Sequence, residues 1–196
     1  MKLSVLFMFI CFATQAAMFK VAAPTSKVGF EIAKFKIGSV VPGTFDKFEG
    51  SADLDEGKGD LSKVTVTIQT ASINTQDEKR DGHLKSADFF DAEKNPTITF
   101  TQTKNTKIGP AFDLVGNLTM KGITKPVTLK VTRSPNKDLS YTFNAVGEIN
   151  RQDFNVTWNK DLPKGEAKSV LGVLKDKVLD DTVKLSFLVK FEPTKN

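Results

Sequence analysis

Apolar and polar residues alternate with a period of two along most of the chain. Val28, Phe30 and Ile32 are separated by Gly29, Glu31 and Ala33, and Val64, Val66 and Ile68 are interleaved with Thr65, Thr67 and Gln69. Ile98 and Phe100 sit among threonines, and Val127, Leu129 and Val131 face away from Thr128, Lys130 and Thr132. Leu139-Tyr141-Phe143-Ala145 and Val183-Leu185-Phe187-Val189-Phe191 continue the pattern, with shorter candidates at Phe19–Val21, Phe48–Leu54 and Phe112–Leu118. These runs are β-branched or aromatic and are bounded by Gly, Pro, Asn or Asp, as half-buried antiparallel strands require. Turns are predicted at Pro42-Gly43, Glu56-Gly57-Lys58-Gly59, Gly109-Pro110, Lys121-Gly122 and Ser134-Pro135-Asn136. Roughly eight to ten strands at short spacing predict a single all-β sandwich or barrel.

Two stretches break the alternation. Asp77 to Phe90 carries good helix formers around Leu84 and Lys85 and predicts a short helix, with Asp88-Phe89-Phe90-Asp91 leading back to the strand at Thr97. Between Gly165 and Asp181, Val170, Leu171, Leu174 and Val178 recur at i, i+1, i+4 and i+8, which predicts a helical turn or an apolar-pinned loop. At the start, Lys2, the apolar run Leu3–Phe12 and the small residues through Ala16 form the three-part pattern of a secretory signal. Ten residues, apolar apart from Ser4, are too few to span a bilayer as a helix. Cleavage is expected after Ala16, with Ala17 as the runner-up, leaving one domain over 17–196.

Composition then narrows the function. With 39% hydrophobic and 26% charged residues in 196, the chain has the makeup of an ordinary globular protein. It has 16 Phe against 1 Trp and 1 Tyr, a large stock of apolar bulk with no polar handle. Its one cysteine, Cys11, lies in the signal, so the mature chain folds without disulfides, which suits a bacterial periplasm. The net charge of +5 is spread among neighbouring acids, with no basic block to bind nucleic acid, and no other apolar run reaches a membrane-spanning length.

Catalytic and metal-binding groupings are scarce. The lone histidine, His83, has Asp77, Asp81 and Asp88 nearby in sequence. A Cys/His metal cluster is impossible without cysteine, and organising a helix–loop segment by hydrogen bonds suits Asp81 and His83 better than catalysis. Asp53-Leu54-Asp55-Glu56-Gly57 begins like a calcium loop but has Lys58 where the invariant glycine belongs. Asp180-Asp181 reads as a turn before a strand. No cofactor or metal is expected, and no enzyme.

The segment Ser72-Ile73-Asn74-Thr75, Arg80 through Asp91, and Pro96-Thr97-Ile98-Thr99-Phe100 resembles the YceI-like family. Further matches in order are Ser26–Phe30, Gly43–Gly50, Leu118–Val127 and Asn150–Asn159. One departure is Lys34-Phe35, where the family often has Lys-His. The resemblance implies an exported, lipocalin-like antiparallel barrel of about eight strands that binds polyisoprenoid lipid, with quinones or fatty amphiphiles as variants. A barrel of that size can hold one elongated ligand if its interior is left partly unfilled. The walls would be the residues sharing one phase on each strand: Phe30, Ile32, Val66 and Ile68; Ile98, Phe100, Phe112 and Leu114; Leu129, Tyr141, Phe143, Leu185 and Phe187. Mid-strand Phe100, Phe143 and Phe187 are best placed to meet a tail. The outer face of some strands is left for the 77–90 helix or the partner of a homodimer to cover.

Three functions are expected in this order. The first is a periplasmic carrier or store of isoprenoid lipid or isoprenoid quinone, acting in transport or envelope stress. The second is a binder of fatty acids, fatty amides or other long-chain amphipathic lipids. The third is an amphiphile-modifying enzyme using His83 with Asp81.

Overall fold

Segments with one apolar phase bury it by pairing edge to edge and curling around it. In the computed structural model, which describes residues 17–34, 39–55, 60–136, 140–158 and 179–193, they do so. The elements are β1 (Ala17–Val21), β2 (Lys27–Lys34), β3 (Val40–Phe45), β4 (Phe48–Asp55), β5 (Asp60–Gln69), β6 (Ile73–Asn74), α1 (Glu78–Lys85), β7 (Thr97–Gln102), β8 (Thr106–Lys107), β9 (Ala111–Met120), β10 (Ile123–Pro135), β11 (Tyr141–Asn150) and β12 (Leu179–Pro193). The order β1-β4-β5-β7-β9-β10-β11-β12 closes on itself because β12 pairs back with β1, giving an eight-stranded antiparallel barrel. The expected all-β barrel with one short helix is the fold observed.

Strand β12 is long enough to serve three neighbours. It runs along β11 from Thr182 to Phe191, pairs β2 over Leu179–Leu188, and pairs β1 over Phe191–Pro193. The pairing with β1 closes the barrel at that end of β12. At the other end β2, β3 and β6 continue the sheet as a wing, with α1 packed beside β6. Those two ends are called lower and upper below.

The turn at Lys121-Gly122 is present. Both residues have positive φ (51° and 71°), the backbone of a type I′ hairpin turn, and Met120 pairs Ile123 across it. Pro42-Gly43 is not a turn: it lies within β3, opposite Glu31 and Phe30. Among the described residues β6 pairs β3 only at Thr44 and Phe45, leaving Pro42 on an edge where its missing N–H costs no ladder bond. Ser134 and Pro135 likewise end β10, and Asp180-Asp181 lie within β12 instead of turning. The predicted helix is shorter than its window. Asp77 caps it, its side chain accepting from the Arg80 backbone N–H at 3.0 Å. The predicted signal, the Glu56–Gly59 turn, Leu139, and the 165–181 stretch apart from its last three residues lie outside the described residues.

Candidate functional site

Alternation sends one phase of every barrel strand inward, and the inner surface encloses a lumen with two lobes. The lower lobe has a cavity volume of about 80 Å3 and the upper about 270 Å3. Val28, Ile68, Leu118, Leu185 and Phe187 face both lobes, so the two are stacked end to end. On β12 the wall runs from Leu179 to Phe191. At a rise of about 3.3 Å per residue that is about 40 Å of strand, or about 30 Å of depth at a tilt of about 40°.

All thirteen sequence-selected residues lie on this wall. Phe30, Ile32 and Ile98 line the upper lobe. Val66, Phe100, Phe112, Leu114, Leu129, Tyr141 and Phe143 line the lower. Ile68, Leu185 and Phe187 face both. Of the three mid-strand phenylalanines, Phe187 stands between the lobes. Phe143 sits deep in the lower lobe among Phe112, Tyr141 and Phe191, with ring centroids 5.6 to 6.3 Å away. Sequence periodicity missed the lower-lobe contribution of β1 and β4 (Phe19, Ala52, Leu54) and the upper-lobe contribution of the segment after β11 (Val156, Trp158). Their runs are short or irregular, so period two is weak there.

The lobes differ in polarity. Among the described residues, Tyr141 is the only one with a polar side chain on the lower wall. The upper wall adds Lys34, Thr75, Arg80, His83 and Arg151, and among the described residues no carboxylate lines either lobe. Helix α1 and the Phe89-Phe90 turn form part of the upper wall. α1 has no apolar stripe and no buried residue, so polar contacts fix it. Asp81 accepts from the backbone N–H of Thr75 at 2.9 Å and from its hydroxyl. Arg80 donates through Nε to the Thr75 hydroxyl and through Nη2 to the Thr75 carbonyl, both at 2.7 Å. His83 is 2.8 Å from Asp88 through Nε2, and its ring meets Phe89 and Trp158 edge-on at 5.0 and 5.5 Å. The Arg80 backbone N–H and the Arg80 and Lys79 charges hold the Asp77 carboxyl below the usual range for an aspartate.

Arg151 is the strongest polar feature, and its sequence context carried no sign of burial. It is 3% exposed. Nε donates to the Asp180 carbonyl at 2.9 Å, and Nη1 to the carbonyls of Val156 at 2.7 Å and Trp158 at 3.0 Å. Nη2 meets the Asp181 carboxylate at 3.2 Å. Burial pushes the guanidinium below its ordinary pKa while Asp181 and Asp180 oppose the shift, and a guanidinium stays charged throughout. Arg151 thus ties the segment carrying Val156 and Trp158 to the start of β12. This corrects the reading of Asp180-Asp181 as a turn: Asp181 is an ion-pair partner inside a strand. Among the described residues no group of three or more His, Cys, Asp or Glu could hold a metal.

Among the described residues, four inward positions are glycines. At Gly43, a Cβ built on the backbone would lie 2.3 Å from Cζ and 2.6 Å from Cε1 of Phe30. At Gly116 it would lie 2.3 Å from Cζ of Phe100 and 2.6 Å from the Thr101 carbonyl oxygen. Leu129 covers Gly147 and Val21 covers Gly50 in the same manner. The two rings lie flat on bare backbone, so their bulk is kept against the wall and out of the lumen.

Comparison with known proteins agrees with this architecture. The YceI-like domain family matches residues 19–191. Protein YceI of Salmonella arizonae is 39% identical over 136 residues, 67% of this chain and 71% of that protein. BcnA of Burkholderia cenocepacia superposes with a TM-score of 0.70 at 27% identity, covering 87% of this chain and 98% of that one. A polyisoprenoid binding domain from Saccharophagus degradans, implicated in plant cell wall breakdown, shares the fold with a TM-score of 0.65 at 15% identity, over 91% and 99% of the two chains.

Proposed function

We propose that this chain, which belongs to the YceI-like family, is a binding protein that holds the hydrocarbon tail of an amphipathic lipid lengthwise in its lumen. The observation that carries the reading is the stacking of a nearly all-apolar lower lobe beneath an upper lobe that has polar side chains on its wall. The tail belongs in the lower lobe and the head at the upper end, near Lys34, Thr75, Arg80 and His83. Basic side chains on a wall that no described carboxylate lines suit a head rich in acceptor oxygens, such as a quinone or a phosphate. Each buried methylene contributes about 0.8 kcal/mol, so a long tail binds tightly without a specific polar contact. A lumen about 30 Å deep suits an isoprenoid chain or isoprenoid quinone, as the family resemblance implies.

The protein acts as an exported carrier or store of that lipid, with the signal removed after Ala16 and the periplasm as its place of work. The reading is supported by the basic, apolar and small-residue pattern of Lys2 to Ala16. No described helix is long and apolar enough to cross a membrane. His83 is committed to Asp88, Phe89 and Trp158 and acts as part of the wall, without catalysis. Organic extraction of natively purified protein, followed by mass spectrometry, tests the function. An isoprenoid lipid or quinone in near-stoichiometric amount is expected. Recovery of no lipid, with no uptake of an added polyprenyl alcohol, would overturn it.

A further inference from the structure

The inward-facing glycines have no turn to make and no positive φ, so a reason for them must be found in space. Gly43 lies in mid-strand on β3, paired with Phe30 of β2. Its three nearest neighbours are all ring carbons of Phe30, at 2.3, 2.6 and 3.0 Å from the position of a Cβ. Even a methyl group there would displace the ring, since contacts under about 3 Å lie far inside van der Waals separation. The wall is behind the glycine, so the ring has only the lumen to move into. Phe30 lines the upper lobe, with its ring 5.7 Å from that of Phe45. The same device recurs in the lower lobe, where Phe100 lies on Gly116.

We propose that Gly43, by letting the Phe30 ring lie flat against the barrel wall, sets the bore of the upper lobe and makes it wide enough for a methyl-branched tail. This rests on the lipid-binding reading above and adds a residue that decides which tails fit. A straight alkyl chain is thin and flexible. An isoprenoid chain carries a methyl branch on every repeat and needs a wider passage. A pocket that reads only width discriminates one methyl group by about tenfold or more. Gly116 acts in parallel in the lower lobe, although a side chain there would also meet the Thr101 carbonyl oxygen and strain the sheet. Gly43 is therefore the cleaner site to test.

The experiment offers the folded protein an equimolar mixture of geranylgeraniol and 1-hexadecanol and reads the bound ratio by extraction and mass spectrometry. For Gly43→Ala the ratio is expected to fall about tenfold against the branched alcohol, with 1-hexadecanol still bound. Adding Phe30→Ala in the same chain removes the displaced ring and should return the ratio to at least the wild-type value. Phe30→Ala alone, which leaves the glycine untouched, should shift the ratio toward the branched alcohol even if Gly43→Ala does not fold. An unchanged ratio in Gly43→Ala with a wild-type melting curve, or in Phe30→Ala, overturns the role of the glycine while leaving lipid binding intact. A wild-type protein that takes up neither alcohol overturns the lipid reading itself, and this inference with it.

Discussion

Replacing Arg151 by Met keeps a long, flexible side chain and removes every donor. Four contacts disappear: three to the carbonyls of Val156, Trp158 and Asp180, and one to the Asp181 carboxylate. The carbonyls lose a charged donor in a region that is nearly closed to water. Breaking a buried charged pair by deleting one partner costs about 3–5 kcal/mol, and the orphaned carbonyls put this site toward the top of that range. For a domain of this size each kcal/mol lowers the melting temperature by about 2–4 °C, so a drop of about 6–20 °C is expected. Thermal melts by circular dichroism, with urea titration to check that the m-value is unchanged, measure it. Asp181→Asn provides the comparison, because it leaves the three carbonyl bonds intact and should cost much less. A drop under about 2 °C for Arg151→Met, or an equal loss for Asp181→Asn, would refute the view that backbone stapling is what Arg151 does.

Three further outcomes follow from the same structure. Asp81→Ala removes the acceptor of both Thr75 donors and should cost about 1–3 kcal/mol in chemical denaturation, with any loss of bound lipid following from the loosened α1. Ile68→Asp, at a site 5% exposed and facing both lobes, sets an unpaired carboxylate against hydrocarbon; the protein should fail to give a cooperative melt. The folded-state pKa of Asp77 is depressed, so its cap stabilises α1 above the ordinary aspartate value of about 3.9 and that contribution is lost as pH falls through the lowered value. Amide exchange over Glu78–Lys85 should therefore accelerate as pH drops below about 4 after correction for intrinsic rates, and an Asp77→Ala protein should have lost this step.

Much of the architecture was legible in the order of residues. Alternation of the kind seen in Val64-Val66-Ile68 and Val183-Leu185-Phe187 fixes which side chains share a face, because the strand period is two whatever the strand pairs with. That is why the residues chosen by phase all reach the lumen. Lys121-Gly122 was readable because the left-handed backbone of a type I′ turn restricts the residues that can make it. Helix α1 was readable from lost alternation and the helix formers around Leu84 and Lys85, while its Asp77 cap emerged only in the structure.

Tertiary structure decided the rest. Whether the barrel is solid or hollow depends on where rings come to rest, and Phe30 and Phe100 lie flat only because Gly43 and Gly116 arrive beneath them from other strands. Pro42-Gly43 looks like a turn in one dimension and becomes part of a strand once β2 pairs with it. Arg151 reads as a surface charge until β12 brings Asp180 and Asp181 to it from about thirty residues away. Local sequence sets the period and the turns, since these depend on a residue and its neighbours. Cavity, seat and buried ion pair depend on distances between segments remote in sequence, and only the closed barrel brings those segments together.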